Sequence, residues 1–181
     1  MLRMLMIAAG LGLLLQGQAA AAPDNASPYA GMEHRPIKAL SEQEIEDLRQ
    51  GRGMGLALAA ELNHYPGPLH ALDAAAALGL DVEQLQRTEA LFEAMQAEAI
   101  ARGEAIIGLE AELEALFASG TAAPSEVERL VMTIAEARGR LRYVHLSYHL
   151  EMRDLLTPEQ LGRYDQVRGY AYGGGEHRHR H

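Results

Sequence analysis

The chain has 181 residues, a formal net charge of −9, eight His and no Cys. The acidic balance excludes nucleic-acid binding through a basic surface. The lack of cysteine excludes a disulfide framework, a thiol nucleophile and an iron–sulfur cluster. Apolar residues make up 48% but aromatics only 5%, and the apolar set is mostly Ala and Leu, which favours helices over sheets.

Residues 1–21 read as a signal peptide. Arg3 supplies the positive charge, an apolar run from Met4 to Leu15 follows, and Ala19 and Ala21 fit a small-residue cleavage site before Ala22. Such a run falls short of the ~20 residues that span a bilayer, so the expectation is export to the periplasm with cleavage near Ala21 and Ala22. An uncleaved anchor is the competing reading. Residues 22–39 carry Pro23, Pro28 and Pro36 without periodicity and read as a flexible arm. A helical domain is expected over 40–172, and a His-rich flexible tail over 173–181.

Helix starts recur in one pattern. In Leu40-Ser41-Glu42-Gln43-Glu44-Ile45, Ser41 caps and Glu44 reaches back to the cap amide, while Leu40 and Ile45 form a hydrophobic staple. Leu80-Asp81-Val82-Glu83-Gln84-Leu85 repeats the layout, and so does Leu156-Thr157-Pro158-Glu159-Gln160-Leu161 with Pro at the first helical position. Ser125 with Glu128 predicts a fourth box without the staple.

The segments between these starts are helical in period. A first helix is expected over 42–62, weakened by Gly51, Gly53 and Gly55. A loop follows over 63–68, then a short helical piece over 69–78 ended by Gly79. From Leu85, the positions Leu85, Phe92, Ala99, Ile106 and Leu113 make one column, beside Met95, Leu109 and Leu116, with Thr88 and Arg102 as exceptions. Val127, Ile134, Leu141, Tyr148 and Leu155 make a second, beside Leu130, Ala137 and Val144. Two long amphipathic helices joined by the turn at 118–124 form an antiparallel hairpin. A last helix is expected over 158–170.

The LTPEQ run at 156–160, well after LDVEQ at 80–84, resembles the LTxxQ family of periplasmic stress proteins, which includes Spy, CpxP and the zinc- and heavy-metal-resistance proteins. The resemblance spans roughly 40–170 by element order. It implies an all-α, four-helix, Spy/CpxP-like fold that pairs through its long hairpins into a cradle-shaped homodimer. It also implies duty in envelope or metal stress, as chaperone, metal binder or partner of a membrane sensor. Two departures stand out. Asp81 replaces the motif's Thr, and residues 81–118 hold nine acidic residues against Arg87 and Arg102 alone, where chaperone members tend toward basic cradles.

His145, His149 and Met152 stand at i, i+4 and i+7, within roughly 60° of one another on a helix. Two imidazoles so spaced can reach one divalent ion, and a nearby thioether suits Zn, Cu, Ni or Co. The alternative is a hydrogen-bonded or solvated pair with Met152 as packing. In metal-sensing members of the family, ligands lie on this helix in a His-x-x-x-Met pattern. The helix-1 His ligands of those members are missing here, and His64 or His70 could substitute. His177, His179 and His181 in the tail are weak ligand candidates, opposed by the interleaved Arg178 and Arg180. Gly51-Arg52-Gly53-Met54-Gly55 lacks the phosphate-binding pattern, and Met54 reads as a core residue, with a metal ligand as the alternative. No catalytic constellation is present in the sequence, so no enzyme is expected.

The expected function is that of a periplasmic accessory protein in heavy-metal or envelope-stress resistance, binding divalent metal ions or modulating a membrane sensor. The alternative is an ATP-independent periplasmic holdase that binds unfolded clients.

Overall fold

A computed structural model describes residues 27–170. The chain divides into two units, 1–33 and 34–181, and among the described residues every α-helix lies in the second. In the first, residues 27–33 form turns, with the Ala30 amide donating to the Ser27 carbonyl at 2.9 Å. The signal-peptide reading of 1–21 and the tail reading of 173–181 lie outside the described residues.

The second unit is all-α, with no strand among the described residues. Its helices are α1 (Glu42–Arg49), α2 (Leu58–Glu61), α3 (Pro68–Asp73), α4 (Ala75–Leu78), α5 (Val82–Ala118), α6 (Pro124–Leu155) and α7 (Pro158–Arg168). The long helices α5 and α6 pack antiparallel, as the two apolar columns predict.

Three of the four expected capping boxes form, at Ser41 with Glu44, Asp81 with Gln84, and Thr157 with Gln160. The fourth does not. Helix α6 is capped by Ala123 with no side-chain bond, and Pro124 takes the first turn. The fixed φ of proline suits that position, so the helix starts two residues earlier than the Ser125 box would place it.

The two glutamines of the motifs also bond each other. Gln84 Nε2 donates to Gln160 Oε1 at 2.8 Å, and Gln160 Nε2 donates to Gln84 Oε1 at 2.7 Å. Gln84 reaches the Leu155 carbonyl at 3.2 Å as well. The repeated motif thus joins the start of α5 to the start of α7. Its Gln residues cap their own helices and clasp one another.

The expected helix over 42–62 is broken. Gly51, Met54 and Gly55 have φ of +63°, +44° and +76°, a left-handed conformation that no α-helix sustains. Helix α1 therefore ends at Arg49, and only the single turn of α2 follows. The break lets α1 lie against α5, where a Cβ at Gly103 would meet the Leu48 carbonyl oxygen at 2.2 Å. The expected piece over 69–78 divides at Ala74 into α3 and α4 and ends, as expected, at a left-handed Gly79.

Two apolar clusters hold the unit together. The first joins Ile37, Leu40 and Leu48 to Met95, Ala99 and Ile106 of α5 and to Leu141, Val144 and Tyr148 of α6. The second gathers Ala71, Ala74, Leu78, Met152, Leu156 and Tyr164. Thr88, an exception to the apolar column, is fully buried, and its hydroxyl donates to the Gln84 carbonyl at 2.7 Å. The buried Glu110 accepts from Arg138 across the hairpin at 2.7 Å. No described helix is long and apolar enough to cross a membrane.

Candidate functional site

A pocket of about 520 Å³ opens among the 50–58 loop, α2, α3 and the middle of α6. Glu61, His70, His145 and His149 line it, together with Arg52, Arg168 and Tyr170. Helix α6 contributes His145 and His149 one turn apart, and both are buried. This is the arrangement that the i, i+4 spacing predicts.

His149 Nδ1 lies 2.7 Å from the Tyr65 carbonyl oxygen. A carbonyl only accepts, so Nδ1 carries the proton and Nε2 keeps its lone pair. His64, in a left-handed conformation at φ +66°, turns the chain just before that carbonyl. Gly67 makes room for the ring, since a Cβ there would meet His149 Cε1 at 2.9 Å and Nε2 at 3.0 Å.

Glu61 ends α2 and is only 5% exposed. Its Oε1 accepts from the Tyr164 hydroxyl at 2.7 Å, the Tyr170 hydroxyl at 3.0 Å and Arg168 Nε at 3.1 Å. His70 Nδ1 stands 3.4 Å from the same oxygen. Its other oxygen, Oε2, is buried without a hydrogen-bond partner, and so are His145 Nε2 and Asp165 Oδ1 among the described residues. Two of these three atoms belong to residues lining the same pocket. Buried polar atoms are normally satisfied, so this coincidence marks the pocket as the candidate site.

The electrostatics sort these groups by charge. Burial pushes the Glu61 carboxyl up, but hydrogen bonds from His70, Tyr164 and Tyr170 outweigh it and hold the pKa down at about 2. Burial lowers His145, helped by repulsion from His149. Burial also lowers His149, against the opposing pull of the Tyr65 carbonyl and Glu61. At neutral pH the pocket therefore holds the ionised Glu61 carboxylate beside the neutral imidazoles of His145 and His149, protonation states compatible with metal binding, with the Arg52 and Arg168 guanidiniums also in its lining. The bond from His149 to Tyr65 is the kind of support that orients a ligating imidazole.

Not every expected residue meets at this pocket. Met152 is fully buried in the second apolar cluster, and the methionines lining the pocket are Met54 and Met95. Met54 is 41% exposed, which corrects its expected place in the core. His70 lines the pocket, whereas His64 pairs with Asp165 at 2.9 Å. His177, His179 and His181 lie outside the described residues. Among the described residues, no three His, Asp or Glu side chains stand close enough together, as placed, to hold one metal ion.

Neither a family model, nor a curated protein, nor a solved structure matches this chain.

Sequence reasoning missed Glu61. Its one signal was local: a lone carboxylate in the apolar run Leu56 to Leu62, where a charge is costly without a partner.

Proposed function

We propose that the chain is a periplasmic accessory protein of metal or envelope stress, similar in kind to the LTxxQ proteins. It binds a borderline divalent ion such as Zn, Ni, Co or Cu in the α2–α6 pocket. Glu61 Oε2, His145 Nε2 and His149 Nε2 are the donors. Met54 and Met95 also line the pocket, and a thioether ligand would add soft character. The observation that carries this reading is the presence at one pocket of two buried atoms without a hydrogen bond, Glu61 Oε2, which lies 3.8 Å from His149 Nδ1, and His145 Nε2. The protein performs no chemistry on the ion; occupancy is the signal, passed to a membrane sensor.

The same reading makes the protein a homodimer through its hairpins. Met132, Tyr143 and Leu150 are all exposed and lie within about 20° of one another on α6. They oppose the stripe that packs on α5, and a second hairpin covers them. Light scattering is expected to give twice the chain mass.

The exposed stripe also supports the rival reading of a holdase, in which Met132, Tyr143 and Leu150 take unfolded clients. Cobalt separates the two. Titration of Co²⁺ into the full chain should give visible absorption bands of a low-symmetry site with nitrogen and oxygen donors, lost in the His145→Ala, His149→Ala variant. A spectrum of aqueous Co²⁺ alone, together with suppression of client aggregation, would favour the holdase.

A further inference from the structure

A second pocket, of about 340 Å³, lies among α1, the 50–56 loop and the middle of α6, and no histidine lines it. Its floor is apolar, since Leu40, Leu48, Ile106 and Leu141 are each at most 3% exposed. Leu56 and the exposed Met54 complete the apolar lining. Met54 stands between Gly53 and Gly55 in a left-handed conformation at φ +44°. A non-glycine residue adopts that conformation at a cost, and such residues cluster at ligand sites. Met54 also lines the first pocket, and its unbranched thioether side chain adapts easily, so this wall can yield to a ligand.

Arg138 and Arg142 of α6 bring positive charge to this pocket. They stand one helical turn apart, where side chains are neighbours, and the Cβ position of Gly139 between them is open. Arg138 donates to Glu110 at 2.7 Å, which leaves most of its five N–H groups for a second acceptor. Arg142 is exposed and makes no hydrogen bond or ion pair among the described residues. Glu44 also lines the pocket, but its Oε2 is taken by the Ser41 amide at 2.8 Å and the Ser41 hydroxyl at 2.7 Å. Arg35 and Arg138 both lie near enough to act on Glu44. Three arginines thus face two carboxylates, Glu44 and Glu110, and a positive charge is left over in a chain of net charge −9.

We propose that this pocket binds a small carboxylate with an apolar body, its head on Arg138 and Arg142 and its body against Leu48, Leu56 and Met54. Planar guanidiniums grip a carboxylate bidentately, which favours it over a neutral molecule of the same shape. The apolar lining favours it over a bare anion. The volume sits at the lower end for ligand pockets, which suits a body of about eight carbons. The inference goes beyond the metal reading and does not rest on it.

Octanoate, acetate and octanol are titrated calorimetrically at pH 7 into the full chain, with EDTA present to keep metal ions out of the comparison. Octanoate is expected to bind once per chain and about tenfold or more tighter than acetate or octanol, with amide shifts in the NMR spectrum centred on Met54 and Gly139. Arg142→Gln is the deciding variant, because Arg142 holds nothing else in the fold. It is expected to weaken octanoate about tenfold, as the loss of a charge-assisted hydrogen bond does. Arg140→Gln removes the same charge from the same helix, but Arg140 pairs with Glu136 and does not line the pocket, so this variant is expected to bind as the parent does. Octanoate bound no tighter than acetate or octanol, equal losses in the two variants, or amide shifts confined to residues 171–181 overturn the proposal. None of those results bears on the metal site, and a protein that binds no Zn²⁺ leaves this pocket standing.

Discussion

His149 Nδ1 lies 2.7 Å from the backbone carbonyl oxygen of Tyr65, and that one contact decides which face of the ring can act. It fixes the proton on Nδ1 and leaves Nε2 as a base beside the only space a Gly at position 67 provides. Gly67→Ala should therefore act on the site more than on the fold. Its Cβ would stand 2.9–3.0 Å from the ring, so the imidazole must turn and lose its support. Loss of such support typically costs a metal site about 10–100-fold in affinity. Calorimetry with Zn²⁺ beside a thermal melt checks this: a large drop in affinity with a small drop in melting temperature is the expected pair.

Acid should unfold the metal-free protein in two stages. The folded-state pKa values of His145 and His149 are lowered below the ordinary value of about 6.5. The unfolded chain then binds more protons, so stability is full above that value and falls as pH drops through the lowered pKa values. Glu61 is held at about 2 from 4.5. Its contribution is full above about pH 4.5 and is lost as pH falls toward 2. Melting temperature should be level from pH 8 to 7 and decline below about 6.5, and the first decline should vanish in His145→Asn, His149→Asn. A first decline of equal size in that variant would assign it to other groups.

The paired motif glutamines predict coupling at a distance. Thr157→Ala removes one cap and should cost about 1 kcal/mol. Gln160→Ala removes a cap and also takes from the Gln84 amide both of its bonds to Gln160, so it should cost at least as much. In a double-mutant cycle, Gln84→Ala and Gln160→Ala should show a coupling of about 1 kcal/mol. Chemical denaturation measures it, and simple additivity would mean that the clasp contributes nothing.

What the sequence disclosed was what lies close together along the chain. The caps at Ser41, Asp81 and Thr157 are legible because each box closes within four residues. The hairpin is legible because its apolar columns repeat along helices of 37 and 32 residues. The break after Arg49 was only half visible. Three glycines warned of it, but the left-handed turn at Met54 belongs to the loop as a whole. The false start at Ser125 came from weighing a capping box above a neighbouring proline. Glu61 was hidden for another reason: its partners Tyr164, Arg168 and Tyr170 stand 103, 107 and 109 residues away. Likewise, the clasp between Gln84 and Gln160 spans 76 residues.

Close packing of α1 on α5 adds a stability test. A Cβ at Gly103 would overlap the Leu48 carbonyl oxygen at 2.2 Å, and backbone cannot yield as a side chain does. Gly103→Ala should therefore destabilise despite the better helix propensity of Ala. The expected loss is about 1–3 kcal/mol, as for other overpacked sites, read as a lower midpoint in urea. A gain in stability would mean that α1 does not seat on α5.

The most direct test of the metal site is Zn²⁺ calorimetry at pH 7 on the full chain with the three tail histidines replaced by alanine. The account predicts one ion per chain at micromolar concentrations, with binding abolished both by Glu61→Gln and by the His145→Ala, His149→Ala pair, each variant shown by circular dichroism to be folded. No heat of binding in the parent, or binding that survives both variants, would contradict it.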